Sequence, residues 1–299
     1  MNMQQTPPPE LDAVTHSYVE VAGTRLHVAE AGEGPPVVLL HGWPQHWWIW
    51  RKVIPALAAE RRVICPDLRG FGWSEAPPGQ YELSGFAADT LALLDALGLE
   101  RIELIGHDWG GYAGFLLCLE APERVAHFLA LGVVHPWFEP PSPSLQTLRR
   151  LAYQFVLATP GVGSSVLHRN PAFVRTVLTR GSHPETPWSA VELDCFAQSF
   201  RSPEHARASS QLYRTFLTKE VSRLRKGHYR SQRLTVPTRL LVGEADPVVR
   251  VDGMGDFETY ATEMSVAEVE RAGHFIAEER PDVVLAEARE LFGLATAAS

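Results

Sequence analysis

The stretch ELIGHDWGGY, residues 103–112, decides the fold of this 299-residue chain. It opens with a short apolar run that is typical of a buried β-strand. Gly106 and Gly110 then flank Asp108 at the spacing of a nucleophile elbow, a strained turn between a strand and a helix. A plain helix N-cap is the alternative role for Asp108, but it does not explain glycines on both sides. The sequence therefore predicts a strand, a sharp turn with Asp108 at its apex, and a helix.

Strand and helix patterns alternate on both sides of this turn. PPVVLLHG and ERIELIG are apolar runs typical of strands buried on both faces, and SGFAADTLALLDALG has a helical apolar stripe. Such alternation predicts an α/β fold with a mostly parallel sheet flanked by helices. It resumes late in the chain with VPTRLLVGEADP, a helix over residues 255–264 and a further strand.

Between these two parts, helical segments and prolines replace the strands. We predict a core domain of residues 1–135 and 232–299 and an inserted helical cap of residues 136–231. The cap is expected over the carboxyl edge of the sheet, where ligands of open α/β sheets bind. A separate helical domain behind a linker is the alternative.

Composition excludes several function classes. The net charge of −8 argues against a nucleic-acid or acidic-membrane partner. Three cysteines without paired spacing are typical of a reducing compartment, and the sequence shows neither a secretory signal nor a long apolar run. We therefore predict a cytoplasmic protein. No metal or nucleotide motif suggests a cofactor, and the oligomeric state stays open, with a homodimer among the alternatives.

An aspartate at the elbow points to attack on saturated carbon. A carboxylate attacking an acyl carbon gives an unfavourable anhydride, whereas attack on an alkyl carbon gives a stable, hydrolysable ester. Opening that ester requires a base for water. His274 follows Gly273 in a predicted loop, and Asp246 lies at a strand end 28 positions earlier, where it can orient the imidazole. Glu244 is the competing acid.

Two backbone N–H groups are candidates for an oxyanion hole. Trp43 lies in LLHGWPQHWWIW after a predicted strand, and Trp109 directly follows the nucleophile. Both N–H groups are expected near the elbow, where they would stabilise charge that develops on Asp108 as water attacks its ester.

The motifs HGWP, PDLRGFGWS and GHDWGG together resemble the epoxide hydrolases of the α/β-hydrolase fold, and the resemblance covers almost the whole chain. It implies an epoxide and water as the reactants and two cap tyrosines that hold the epoxide oxygen. By position these are Tyr153 in LAYQFVLATPG and Tyr213 in QLYRTF. Tyr229 lies in a basic stretch and is expected to be exposed.

Two other functions stay open at this point. Haloalkane dehalogenases share GHDWGG and hold the halide with N–H donors, here the Trp109 indole and a cap indole of Trp188 or Trp137. A binding module with the same fold is the second alternative. Such a module would not require the nucleophile, acid and base positions all to be filled, as they are here.

Overall fold

The computed structural model describes residues 6–79, 81–140, 151–255 and 257–294. Its β-strands form one sheet. They are β1 Thr15–Val21, β2 Thr24–Ala31, β3 Pro36–Leu40, β4 Arg62–Pro66, β5 Ile102–His107, β6 Val125–Leu131, β7 Thr238–Gly243 and β8 Met264–Val269.

The sheet has the order β1-β2-β4-β3-β5-β6-β7-β8. The pairs β1–β2 and β2–β4 are antiparallel, and the strands from β4 to β8 pair in parallel. The prediction of an α/β-hydrolase type of sheet is therefore confirmed. The apolar runs that predicted β3 and β5 lie at its centre, with Val37, Leu39 and Leu104 fully buried.

Helices flank this sheet and also form a block of their own. The helices are α1 Ile54–Ala58, α2 Leu83–Ala96, α3 Trp109–Glu120, α4 Ala152–Ala158, α5 Val162–Arg169, α6 Pro171–Gly181, α7 Ala190–Gln198, α8 Pro203–Thr215, α9 Val221–Arg225, α10 Ile276–Glu279 and α11 Pro281–Leu291.

The strand order reverses direction at β3. The chain passes from β3 to β4 on one side and then to β5 on the other side. Loops that leave the carboxyl ends of β3 and β5 consequently diverge and open a crevice, the usual ligand site of such sheets. Gly42 and Asp108 follow these two strands, so this reversal brings the elbow beside the loop that carries Trp43.

Helices α4 to α9 lie between β6 and β7 in the chain, with a π-helical turn at Phe216–Glu220 between α8 and α9. We propose that this helical block is the cap. The predicted domain limits at residues 135/136 and 231/232 stay predictions, and the proline-rich residues 141–150 lie outside the described part of the chain.

The predicted helix over residues 255–264 is wrong. The described part of this segment holds only a 3-10 turn at Phe257–Thr259 before β8 begins. The backbone O of Tyr260 and N–H of Thr262 bond to Leu234, each at 2.8 Å, and this pairing with another segment draws the chain out of helical geometry. Within the described residues, no helix has the length and apolar character needed to cross a bilayer.

Candidate active site

Asp108 sits at a strained turn between β5 and α3. Its backbone has φ +50° and ψ −119°, a region that residues other than glycine rarely adopt. The turn is possible because its neighbours lack side chains. A Cβ on Gly110 would lie 2.4 Å from the carbonyl oxygen of Leu40, and one on Gly42 would lie 2.4 Å from the Asp108 Cβ. The elbow predicted from the glycine spacing is therefore present.

The structure brings Asp108, His274 and Asp246 into one hydrogen-bonded row. The His274 Nδ1 lies 2.9 Å from Asp246 Oδ2, and its Nε2 lies 3.3 Å from Asp108 Oδ2. The second oxygen of Asp246 accepts from the backbone N–H groups of Val248 and Val249 at 2.6 and 2.9 Å. Asp246 is thus fixed on both sides, so it can hold the imidazole in one orientation.

The predicted competing acid has a different contact. Glu244 accepts a hydrogen bond from the backbone N–H of Arg271 at 3.1 Å. Since Asp246 occupies the position beside His274, the structure favours Asp246 as the acid of this row.

His274 is buried between two carboxylates. Burial lowers the pKa of its imidazole, but the charges and hydrogen bonds of Asp246 and Asp108 outweigh this effect and raise the pKa to about 10. The imidazole is therefore protonated at neutral pH as long as Asp108 carries no ester. The imidazole can accept a proton from water only when the charge of Asp108 has been removed.

Both predicted oxyanion donors face the same oxygen of Asp108. The backbone N–H of Trp109 donates to Asp108 Oδ1 at 2.5 Å, and that of Trp43 donates to it at 3.3 Å. Oδ2, the oxygen beside His274, receives neither bond. The two oxygens of the carboxylate therefore have different surroundings, one held by N–H groups and one directed towards the imidazole.

The two predicted tyrosines lie close together opposite the elbow. Their ring centroids are 6.0 Å apart, and the Trp43 ring stacks on Tyr153 at 6.1 Å and meets Tyr213 edge-on at 5.2 Å. Burial raises the pKa of Tyr153 to about 12 and that of Tyr213 well above its usual value. Both hydroxyls therefore keep their protons at neutral pH and can donate them.

Gln154 is a contact that the sequence reasoning missed. Its side chain is buried, and its Nε2 donates to the Tyr153 hydroxyl oxygen at 3.3 Å. Because this bond occupies an acceptor site of the hydroxyl, the hydroxyl proton stays available for another acceptor. The position of a polar residue directly after Tyr153 in the sequence could have indicated this contact.

A cavity of about 710 Å³ joins these groups. Asp108 and His274 line it from the sheet side, and Tyr153 and Tyr213 line it from the helical block. Many other lining side chains are apolar, including Phe216. A volume of this size accepts a drug-sized molecule, and the apolar lining suits a substrate with a substantial hydrocarbon part.

Of the indoles named in the dehalogenase interpretation, Trp109 lines the cavity, whereas the other two are engaged elsewhere. The Trp188 Nε1–H donates to Ser182 Oγ at 2.8 Å, and the Trp137 Nε1–H donates to the carbonyl oxygen of Tyr229 at 2.8 Å. Neither tryptophan is among the lining residues of the cavity. Neither Trp188 nor Trp137 therefore presents its indole N–H to a halide in this cavity.

Tyr229 is buried, so the expectation of an exposed position is wrong. Its hydroxyl donates to Glu220 at 2.7 Å, and the Tyr112 hydroxyl donates to the same oxygen of Glu220 at 2.8 Å. Arg223 pairs with the other oxygen of this buried carboxylate at 3.1 Å. The basic residues around Tyr229 suggested solvent exposure, whereas its hydroxyl reaches a buried acid.

Within the described ranges, no three His, Cys, Asp or Glu residues are arranged to hold a metal ion.

Comparisons with known proteins agree with this geometry. The model of the α/β hydrolase fold family matches residues 35–281. A soluble epoxide hydrolase of Corynebacterium sp. (strain C12) is 30% identical over 93% of this chain and 97% of its own length. An epoxide hydrolase of Siraitia grosvenorii is 30% identical over 91% of this chain and 96% of its own.

The chain belongs to the epoxide hydrolases of the α/β-hydrolase fold. The solved structure of an epoxide hydrolase without ligand superposes on this family member with a TM-score of 0.83 and 29% identity. It covers 94% of this chain, and this chain covers 99% of it. The family predicted from HGWP and GHDWGG is thus confirmed, and the likeness extends through both the sheet and the helical block.

Proposed function

We propose that this chain hydrolyses epoxides to vicinal diols in two steps through an ester on Asp108. The observation that carries the proposal is one cavity lined by the Asp108 carboxylate, by the imidazole 3.3 Å from its Oδ2, and by a pair of protonated tyrosines. The same cavity contains a nucleophile for the ring carbon, donors for the ring oxygen and a base for water. Epoxide hydrolase relatives over almost the whole chain support this assignment.

In the first step, Asp108 Oδ2 attacks a ring carbon and the bond from that carbon to the epoxide oxygen breaks. The leaving group is an alkoxide, a strong base, which requires a proton. Tyr153 and Tyr213, which both remain protonated at neutral pH, hydrogen-bond this oxygen, and one of them gives it a proton and becomes a tyrosinate. The products of the step are an alkyl ester and a hydroxyl on the neighbouring carbon.

Formation of the ester switches His274 from acid to base. Esterification removes the negative charge of Asp108, which is one of the causes of the raised pKa of His274. The pKa of the imidazole therefore falls, and its proton can pass to the tyrosine oxygen by way of solvent. Neutral His274, oriented by Asp246, then takes a proton from water as the water attacks the ester carbon.

The second step develops negative charge on Asp108 Oδ1, which already receives the N–H groups of Trp43 and Trp109. Such donors act most strongly on the oxyanion that forms during attack, and losing one typically costs about 2.7–4 kcal/mol of barrier. Collapse of the intermediate breaks the bond between the Asp108 carboxyl carbon and the ester oxygen. The leaving oxygen takes the proton that the incoming water oxygen still carries, so the diol departs, Asp108 is again a carboxylate and His274 is protonated.

The variant His274→Gln tests the proposal. Ring opening should proceed because Asp108 and the tyrosines are intact, whereas hydrolysis should stop because the base is absent. The intact mass of the protein should therefore increase by the mass of the added epoxide, for example styrene oxide or trans-stilbene oxide. Peptide mapping should place the addition on Asp108.

Asp108→Asn is the matched control, because it keeps the shape of the nucleophile and lacks its charge. It should show no added mass with any epoxide. A folded His274→Gln protein that stays unmodified across a panel of small and bulky epoxides would contradict the proposal. Halide release from bromoalkanes that exceeds diol formation would instead favour the dehalogenase alternative.

A further inference from the structure

The carboxylate of Glu279, the last residue of α10, accepts four hydrogen bonds. Its Oε2 accepts from the backbone N–H groups of Gly273 and His183 at 2.8 and 2.6 Å, and from the Thr186 hydroxyl at 3.0 Å. Its Oε1 accepts from the backbone N–H of Phe275 at 2.9 Å. A carboxylate has about four acceptor sites, and here three of the four bonds converge on Oε2.

These donors come from two separate parts of the chain. Gly273 and Phe275 are the residues on either side of His274, whereas His183 and Thr186 lie in the loop between α6 and α7. One side chain thus holds the peptide units that flank the proposed base and ties them to the helical block.

The loop of His274 packs directly on the end of α6. The backbone N–H of His274 donates to the carbonyl oxygen of Gly181 at 2.7 Å. A Cβ on Gly273 would lie 2.4 Å from that same oxygen, so the approach requires glycine. Without Glu279, the His274 backbone would keep its bond to Gly181 and the bond that its carbonyl oxygen makes with the His107 Nε2 at 2.8 Å.

The negative charge of Glu279 is stabilised by hydrogen-bond donors alone. In the described ranges, no Arg, Lys or His side chain forms an ion pair with it, whereas its neighbour Glu278 pairs with Arg51 and Lys52. Short bonds from backbone N–H groups to a carboxylate are stronger than neutral ones. Arg51 pairs with both Glu278 and Glu192, so Glu278 helps to join the core to the helical block. Glu279 instead accepts hydrogen bonds from the loop that carries His274.

We propose that Glu279 is a positioning residue for His274: it fixes both flanking peptide units so that the imidazole stays between Asp246 and Asp108. The inference rests on the proposed function, because it assigns the effect of Glu279 to the step that uses His274 as a base. Ring opening uses Oδ2 of Asp108 and the hydroxyls of the two tyrosines, and it does not use the imidazole as a base. Hydrolysis needs the imidazole aligned with water and the ester, and such alignment depends on the residues behind the reacting group.

Glu279→Gln separates the two steps. An amide has one oxygen, so its NH₂ group must face either the Phe275 N–H or the three donors that now share Oε2. Either arrangement opposes donor to donor and releases one side of the His274 loop. We expect the hydrolysis rate constant to fall at least about tenfold, since small misplacements of a catalytic group are costly. Ring opening should stay within about threefold of wild type.

The measurement is rapid-quench intact mass with styrene oxide, which gives the rate constants of ester formation and ester loss separately. Ester should accumulate in Glu279→Gln, and it should accumulate more completely in His274→Gln. The matched control is Glu192→Gln, which removes a carboxylate whose polar partners are Arg51 and Ser189 rather than the loop of His274. Its two rate constants should remain as in wild type.

Thr186→Val keeps the test decisive if Glu279→Gln fails to fold. It removes one donor to Oε2 and should slow ester loss by about threefold while ester formation is unchanged. Equal slowing of both steps, or unchanged ester loss in both variants, would overturn the inference. If His274→Gln itself forms no ester, the proposed function fails first, so the two failures can be told apart.

Discussion

The imidazole of His274 and the carboxylate of Asp246 lie 2.9 Å apart in the buried interior, with Nδ1 facing Oδ2. The bond directs the other ring nitrogen towards Asp108. It also places a negative charge where it stabilises the imidazolium. The following predictions concern this pair, the proton on His274, the tyrosines and the elbow.

Asp246→Asn should impair hydrolysis far more than ring opening. The amide oxygen can keep the bonds from Val248 and Val249, which leaves the NH₂ group facing His274 and favours the wrong tautomer. We expect the rate constant of ester loss to fall about 10²- to 10⁴-fold. Rapid-quench mass spectrometry measures it. Glu244→Gln is the control, because that carboxylate contacts Arg271 instead, and a similar loss there would contradict the assignment of the acid.

The stability contributed by His274 should decline with rising pH. Its folded-state pKa is raised to about 10, above the unfolded value of about 6.5. The contribution is thus fully present below pH of about 6.5 and is lost as the pH rises through about 10. Urea unfolding of wild type and His274→Gln at pH 6, 8 and 10 measures the difference in free energy of unfolding. A difference that increases over this range would show that His274 is not held protonated between Asp108 and Asp246.

Tyr153→Phe combined with Tyr213→Phe should abolish ring opening without unfolding the protein. The double change removes both hydroxyls and keeps the aromatic contacts with Trp43. Each single variant should retain activity reduced by about 10- to 100-fold, since general acid catalysis contributes about 10²- to 10⁴-fold. Diol formation and ester mass are the readouts. Tyr18→Phe, an exposed tyrosine on β1, should behave as wild type.

Gly110→Ala should destabilise the protein, whereas Gly85→Ala should not. Both glycines lie in helices, α3 and α2, so the intrinsic helix preference of alanine is the same in each. At position 110 the added methyl meets the Leu40 carbonyl at 2.4 Å, and at position 85 nothing lies within 4 Å. Overpacking costs about 1–3 kcal/mol, whereas alanine at an unhindered helix position gains roughly 0.5–1 kcal/mol. Urea unfolding compares them, and equal effects would contradict the steric account.

The sequence predicted the features that follow from local chain geometry. The spacing of Gly106 and Gly110 around Asp108 predicted the elbow, because such a turn excludes side chains at fixed offsets. Asp246 and His274 followed from their places after predicted strands, since the carboxyl ends of parallel strands meet at one edge. The structure brings these residues together.

Features that depend on contacts between distant segments were not predictable in this way. Glu279 and His183 are 96 positions apart, and nothing in either local pattern indicates their hydrogen bond. Tyr229 was misjudged because its basic neighbours suggested solvent, whereas its hydroxyl reaches the buried Glu220. The turn at Phe257–Thr259 did not extend into a helix because Leu234 pairs with the residues that follow it.

The unequal surroundings of the two Asp108 oxygens determine which oxygen atom leaves with the product. Oδ1 is retained by the N–H groups of Trp43 and Trp109, whereas Oδ2 faces the imidazole and the cavity. Under the proposed mechanism, Oδ2 departs with the diol and an oxygen from water takes its place. Each diol therefore contains an oxygen atom that entered the Asp108 carboxylate from water during the preceding catalytic cycle.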